Sequence, residues 1–236
     1  MFSSSPYEWQ DLEVAYIRKD FSPSWDQAFS SIVIYSLDTN IEQELLEERG
    51  FISSACWNRS REFVAYVKKR SNSMLDEQTT VWVYFMDTNE TKSLLVPDSQ
   101  ESFADIACNH QGDKIAVTIG SKDDDRVEIV DVNTGERTIV YAPVETNFDN
   151  LTWSNDDRWI AIRTFGDTAE TKYQASIALV SIDGSEVIPV DLSPTIFPVE
   201  LDWSPIDNRL VVTSLDGIGK YSMYVVNLSS WLESPP

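Results

Sequence analysis

Four side chains able to hold a cation or move a proton recur at nearly even spacing: Ser54, Asp105, Asn150 and Glu200, which lie 51, 45 and 50 residues apart. Asp149 and Asp202 stand close to two of them. A pair of carboxyl groups at a fixed separation is what both retaining and inverting glycoside hydrolysis require, one as acid and one as base or nucleophile. Carboxylates and amide carbonyls are also the ligands of hard cations, so a calcium or sodium ion is an alternative occupant, and no other cofactor is expected. The preferred reading is structural: these groups bind backbone amides or ordered water where strands converge. Asp105, Asn150 and Glu200 are thus candidates for the lining of a central channel.

Other reactive residues are sparse. His110 is the lone histidine, with no Ser or Cys partner that the sequence places beside it, so a catalytic triad is not expected. Cys56 and Cys108 with one histidine fall short of a zinc set, and two cysteines make no dense disulfide framework; both are read as small buried apolar residues. Asp123, Asp124 and Asp125 are consecutive, without the alternate spacing of a calcium loop, and Asp156 and Asp157 suit a turn. The sequons that begin at Asn58, Asn89, Asn150 and Asn227 carry little weight without a secretory signal.

Charge narrows the partners. With 39 acidic against 18 basic residues the formal net charge is −21, and a nucleic-acid backbone would be repelled. No stretch approaches the 18 or more apolar residues of a membrane helix. The opening MFSSSPYEWQ has neither a basic nor an apolar leader region, so the expected compartment is the cytoplasm, or a secreted or periplasmic one if a signal has been removed.

The elements that position these residues form a repeat. Short apolar anchors stand at Val14, Val64, Ile115, Ile160 and Leu210. Seven residues earlier comes Tyr7, Trp57, Trp153 or Trp203, with Cys108 replacing the aromatic in the third copy; Trp9 is an alternative to Tyr7 in the first. Polar tracts such as NRSRE and SNDDRW separate aromatic from anchor and read as hairpin turns. A further strand follows in each copy: IVIYSLDTN, VWVYFMDTN, VEIVDVNTG, IALVSIDGS and MYVVNLSS. A fourth apolar stretch closes most copies, and a short last strand is expected around Trp231. Four antiparallel strands per period make a propeller blade, and neighbouring blades cover both faces of each sheet. The expectation is an all-β chain, a β-propeller of about five four-stranded blades near residues 1–50, 51–100, 101–146, 147–195 and 196–236. Five blades can close by packing the first on the last, or form a stretch of a larger propeller.

LTWSNDDRWIAI and LDWSPIDNRLVV resemble the signature of TolB-like, WD-repeat-like propeller repeats, a family also found in the propeller of prolyl-oligopeptidase-type peptidases. The resemblance implies architecture and leaves function open, and nothing here resembles a hydrolase domain or a G-x-S-x-G elbow. Long loops between second and third strands place Phe21, Trp25 and Phe29 in the first copy and Lys68, Lys69, Arg70, Met74 and Leu75 in the second. Apolar groups with a basic rim suit a partner surface. The expected function is therefore a non-catalytic scaffold binding a protein or peptide; the alternative is a five-bladed carbohydrate-active enzyme using the channel carboxylates.

Overall fold

The computed structural model describes residues 13–20, 29–57, 62–69, 78–98, 101–121, 125–144, 146–166, 175–190, 192–193, 196–215 and 219–232. They form five antiparallel sheets in chain order, arranged as the blades of a β-propeller. The first contains β1 (Glu13–Asp20), β2 (Phe29–Ser36) and β3 (Ile41–Arg49). The second contains β4 (Phe51–Trp57), β5 (Phe63–Lys69), β6 (Thr79–Phe85) and β7 (Glu90–Leu95). The third runs through β8 (Glu101–Cys108), β9 (Lys114–Ser121), β10 (Arg126–Asp131) and β11 (Arg137–Tyr141). The fourth runs through β12 (Thr146–Trp153), β13 (Trp159–Gly166), β14 (Ala175–Ser181) and β15 (Val187–Val190), and the fifth contains β16 (Pro198–Trp203), β17 (Arg209–Leu215) and β18 (Tyr221–Asn227).

The turn after each third strand shows how sequence dictates the hairpin. Asn40, Asn89 and Gly135 occupy equivalent places, Gly184 lies one place earlier in its turn, and all four have positive φ, between 55° and 75°. Asn and Gly tolerate that left-handed conformation, which is why one or the other stands at each of these four positions. At Gly184 a side chain would also be crowded, because a Cβ would lie 3.1 Å from the Val140 backbone.

Strand alternation gives each blade two apolar faces. Ala65, Val67, Val81 and Val83 of the second blade pack on Ile115 and Val117 of the third. In the same way Ala116, Val127 and Ile129 meet Trp153, Ile160 and Ile162, and Ala161, Ile177 and Leu179 meet Trp203, Leu210 and Val212. Ile32 and Ile34 complete the series against Trp57, Val64 and Tyr66. The core is thus four stacked seams, each buried between a leading face and the trailing face of the next blade.

Two features depart from expectation. The first and last blades have three strands each among the described residues, and Trp231 lies on a four-residue helix, α1 (Ser229–Leu232), instead of a strand. Its first amide is capped, with the Ser229 N–H donating to Asn227 Oδ1 at 3.0 Å. Closure of the first blade on the fifth is also not observed: among the described residues no strand of one packs on the other as successive blades do.

Candidate functional site

The inner strands β4, β8, β12 and β16 each carry a β-bulge near the recurring polar position. A bulge adds a residue and re-aims its side chain. In β12 the bulged residue is Asn150, with φ 53°. The re-aimed groups reach the following blade. Asn150 Oδ1 accepts the Leu201 N–H at 2.8 Å, Asp105 Oδ2 accepts the Leu151 N–H at 3.3 Å, and Ser54 Oγ lies 3.4 Å from the Ile106 nitrogen. Each residue in the series therefore serves the amide one place beyond its own equivalent in the next blade. A buried amide left without an acceptor costs about 1–3 kcal/mol, so each of these contacts matters to the seam it crosses.

Asp105 is the centre of this arrangement. The Ser54 hydroxyl donates to its Oδ1 at 2.6 Å, the Ile106 N–H donates to the same oxygen at 3.0 Å, and its own N–H donates to Thr118 Oγ1 at 2.7 Å. Burial pushes its carboxyl above the usual range; the donors from Ser54, Ile106 and Leu151 oppose that rise, and the charge of Asp149 adds to it. Asp149 is held by the guanidinium of Arg163, whose Nη1 also donates to the Pro198 carbonyl at 3.2 Å. Glu200 takes the fourth place in the series and has no following blade to serve among the described residues.

Asp202 lies on the leading face of the last blade, one residue before Trp203. Burial raises its carboxyl to about 7, opposed only by the Trp203 N–H. A carboxyl with a raised folded pKa takes up a proton on folding between its unfolded value near 4 and about 7. The folded state therefore gains stability as pH falls through that window and loses it as pH rises. Keeping this carboxyl ionised in its buried place costs the folded state at most about 4 kcal/mol above neutrality. Asp202→Asn is expected to stabilise the protein by about 2 kcal/mol at alkaline pH, an advantage that vanishes near pH 4. Melting temperatures of both proteins across that range check it, and a pH-independent difference would refute it.

The cysteines correct the sequence reading. Cys56 and Cys108 are not free apolar residues but form a disulfide across the second seam, with Cα atoms 5.5 Å apart. The repeat explains the pairing. At the next seam Trp153 Nε1–H donates to the Ala107 carbonyl at 2.9 Å, and at the last the Trp203 N–H donates to Thr152 Oγ1 at 3.1 Å. Cys56 and Cys108 are the equivalents of those two positions, so a covalent bond stands where the other seams use tryptophan. The same seam buries Glu128, which accepts from Arg126 Nε at 2.6 Å and Arg137 Nε at 2.5 Å.

The hairpin-turn residues also tie blades together. Asp157, buried with φ 56°, accepts the His110 and Gln111 N–H groups at 2.8 Å each and lies 2.9 Å from His110 Nδ1. Sequence reasoning placed Asp157 in a turn and missed this contact.

Of the expected partner surface, Phe21, Trp25, Arg70, Met74 and Leu75 lie outside the described residues. Phe29 opens β2 and is 36% exposed. Lys69 ends β5, and Lys68 is a strand residue engaged with the first blade instead of a loop rim, its Nζ donating to Glu48 Oε2 at 2.5 Å and lying 5.7 Å from the Trp82 ring centroid. Among the described residues no group of three or more His, Cys, Asp or Glu is placed to hold a metal ion. Among them, too, no helix is long and apolar enough to cross a membrane.

This is the blade architecture of TolB-type propellers. No protein-family profile matches the chain, and no curated protein sequence does. Solved structures do: TolB from Acinetobacter baumannii aligns over 92% of this chain and 51% of its own at 13% identity, with a TM-score of 0.69. Oligogalacturonate lyase in complex with manganese aligns over 94% of this chain and 64% of its own at 15% identity and TM-score 0.68. Puromycin hydrolase aligns over 93% of this chain and 34% of its own, with 15% identity and TM-score 0.69. The chain thus spans from a third to under two thirds of the length of these three proteins. The same fold serves a lyase and a hydrolase as well as TolB. That finding overturns the expectation of a non-catalytic scaffold for a protein or peptide partner, which rested on a repeat without a catalytic motif and on long loops with apolar residues.

Proposed function

We propose that the chain is the propeller part of an enzyme-bearing protein of an oxidising compartment, and that it frames chemistry held by another part of that protein. The observation that carries this reading is the use made of the inner-strand series: Ser54, Asp105 and Asn150 are committed to amides of the next blade. A carboxylate saturated by such donors is a poor acid or base, because each donor must be given up when it takes a proton. The match to puromycin hydrolase, which occupies about a third of that chain, supports a propeller serving a longer enzyme. The inter-blade disulfide supports an oxidising compartment, where such bonds persist.

The test is turnover by the 236-residue protein itself. Incubated with oligogalacturonate, with and without manganese, and with puromycin, it is expected to release no product above a buffer blank. Turnover that disappears in Asp202→Asn or Asp105→Asn would place the reactive centre in this chain and overturn the reading.

A further inference from the structure

A cavity of about 420 Å³ opens where β5 and β7 end and β6 begins, lined by Lys68, Gln78, Thr80, Trp82, Val96 and Pro97. That volume lies within the range of small-ligand sites, about 300–1,000 Å³. Its aromatic wall is not a demand of the repeat, because the other third strands carry Val33, Glu128, Ala178 and Tyr224 where the second blade carries Trp82. The indole is held in one orientation. Its Nε1–H donates to Thr80 Oγ1 at 2.8 Å, so its single polar group is satisfied within the blade and a ligand meets only ring carbons.

Charge and hydrogen bonding narrow what fits. Lys68 Nζ lies 5.7 Å from the indole centroid, so a cationic ligand on that ring would be repelled. The same ammonium donates to Glu48 Oε2 at 2.5 Å, and the Tyr66 hydroxyl donates to the other Glu48 oxygen at 2.7 Å. An anion would have to compete with that carboxylate and enter against a net charge of −21. A wholly apolar ligand would cover the Gln78 amide and the Thr80 hydroxyl without giving them partners. Across the strand pair from Trp82, Ser93 Oγ is already buried with no hydrogen-bond partner among the described residues. What remains is a neutral ligand with an apolar face and a rim of hydroxyls.

We propose that this cavity is a subsite for a neutral saccharide, with one sugar ring against Trp82 and its hydroxyls meeting Gln78 and Thr80. A pyranose has that chemistry, since C–H groups gather on its faces while hydroxyls, each both donor and acceptor, surround its edge. Thr80 Oγ1 accepts from the indole and lies 3.4 Å from the Lys68 carbonyl, which leaves it a lone pair for one such hydroxyl. Val96 and Pro97 extend the apolar lining. The inference goes beyond the proposed enzyme framing, because a saccharide bound here without turnover leaves that reading as it stands.

Titration of the isotope-labelled protein, followed by the indole N–H resonances in NMR, tests the subsite. The probes are cellotriose, maltotriose, galactotriose and chitotriose, all neutral, each taken to about 20 mM. At least one is expected to shift the Trp82 indole resonance, which is assigned by its loss in Trp82→Phe. Its dissociation constant is expected to rise at least about tenfold in Trp82→Ala, as truncation of an aromatic anchor does. Gln78→Ala removes only a rim amide and is expected to weaken binding about threefold, which keeps the test decisive if loss of the indole disturbs the seam with the first blade. The proposal is overturned if none of the four probes shifts that resonance, or if binding is unchanged in Gln78→Ala and Trp82→Ala. Tighter binding of digalacturonate or of a proline-rich peptide than of every neutral sugar overturns it as well.

Discussion

Reduction of the Cys56–Cys108 bond is expected to lower the melting temperature by about 10 °C. The bond closes a loop with a sequence separation of 52 residues and pins the inner strands of the second and third blades to each other. In the chain-entropy account a loop of this length restricts the unfolded chain by about 4 kcal/mol at 25 °C. Each kcal/mol moves the midpoint of a domain of this size by roughly 2–4 °C. The seam also has no tryptophan at this position, so reduction leaves it without the indole-to-carbonyl bond that Trp153 supplies one blade further on. A Cys56→Ser, Cys108→Ser variant is expected to melt where the reduced protein melts and to ignore the reductant. Identical melting of oxidised and reduced wild type would show that the bond does not form in solution.

The blades were legible in the sequence because their cause is local. Alternating apolar residues, Asn or Gly at the left-handed turn position, and polar hairpin tracts each act within a few residues, so five aligned third strands reported five sheets. What joins the blades acts over about one period and left weaker traces. The 52-residue interval between the cysteines is itself such a trace: Cys56 precedes Trp57, and Cys108 occupies the next aromatic position. Only the seam geometry shows that these two places face each other. The grip of Asp157 on His110 and Gln111 had no sequence signal, since Asp in a turn is expected for turn chemistry alone. The last strand expected around Trp231 failed for a local reason, because Asn227 caps a helical turn there.

Asp105, Asn150 and Ser54 drew notice because carboxylates and amides at even spacing suit catalysis or cation binding. Even spacing has a simpler cause in a repeat protein. A bulge recurs at the same place in successive inner strands, and the short polar side chain beside it reaches an amide of the following blade. The chemistry of the fold's inner wall is thereby spent on cohesion. No blade follows Asp202 and Glu200 among the described residues, and burial pushes the Asp202 carboxyl to about 7.

Amide hydrogen exchange in Asp105→Ala and Asp105→Asn tests most directly whether these side chains hold the blades together. Removing the carboxyl leaves the Leu151 N–H and the Ser54 hydroxyl buried without their acceptor, a loss of about 3 kcal/mol in global stability. In Asp105→Ala the Leu151 amide is expected to exchange at least about tenfold faster relative to amides in the distant first blade, the equivalent of one lost hydrogen bond. In Asp105→Asn the carbonyl oxygen still accepts from Ser54 and Ile106, but an NH2 turns toward the Leu151 N–H. That variant is expected to lose protection at Leu151 as the alanine variant does while keeping more of the global stability. Unchanged protection at Leu151 in the alanine variant would contradict the claim that these inner-strand side chains exist to join one blade to the next.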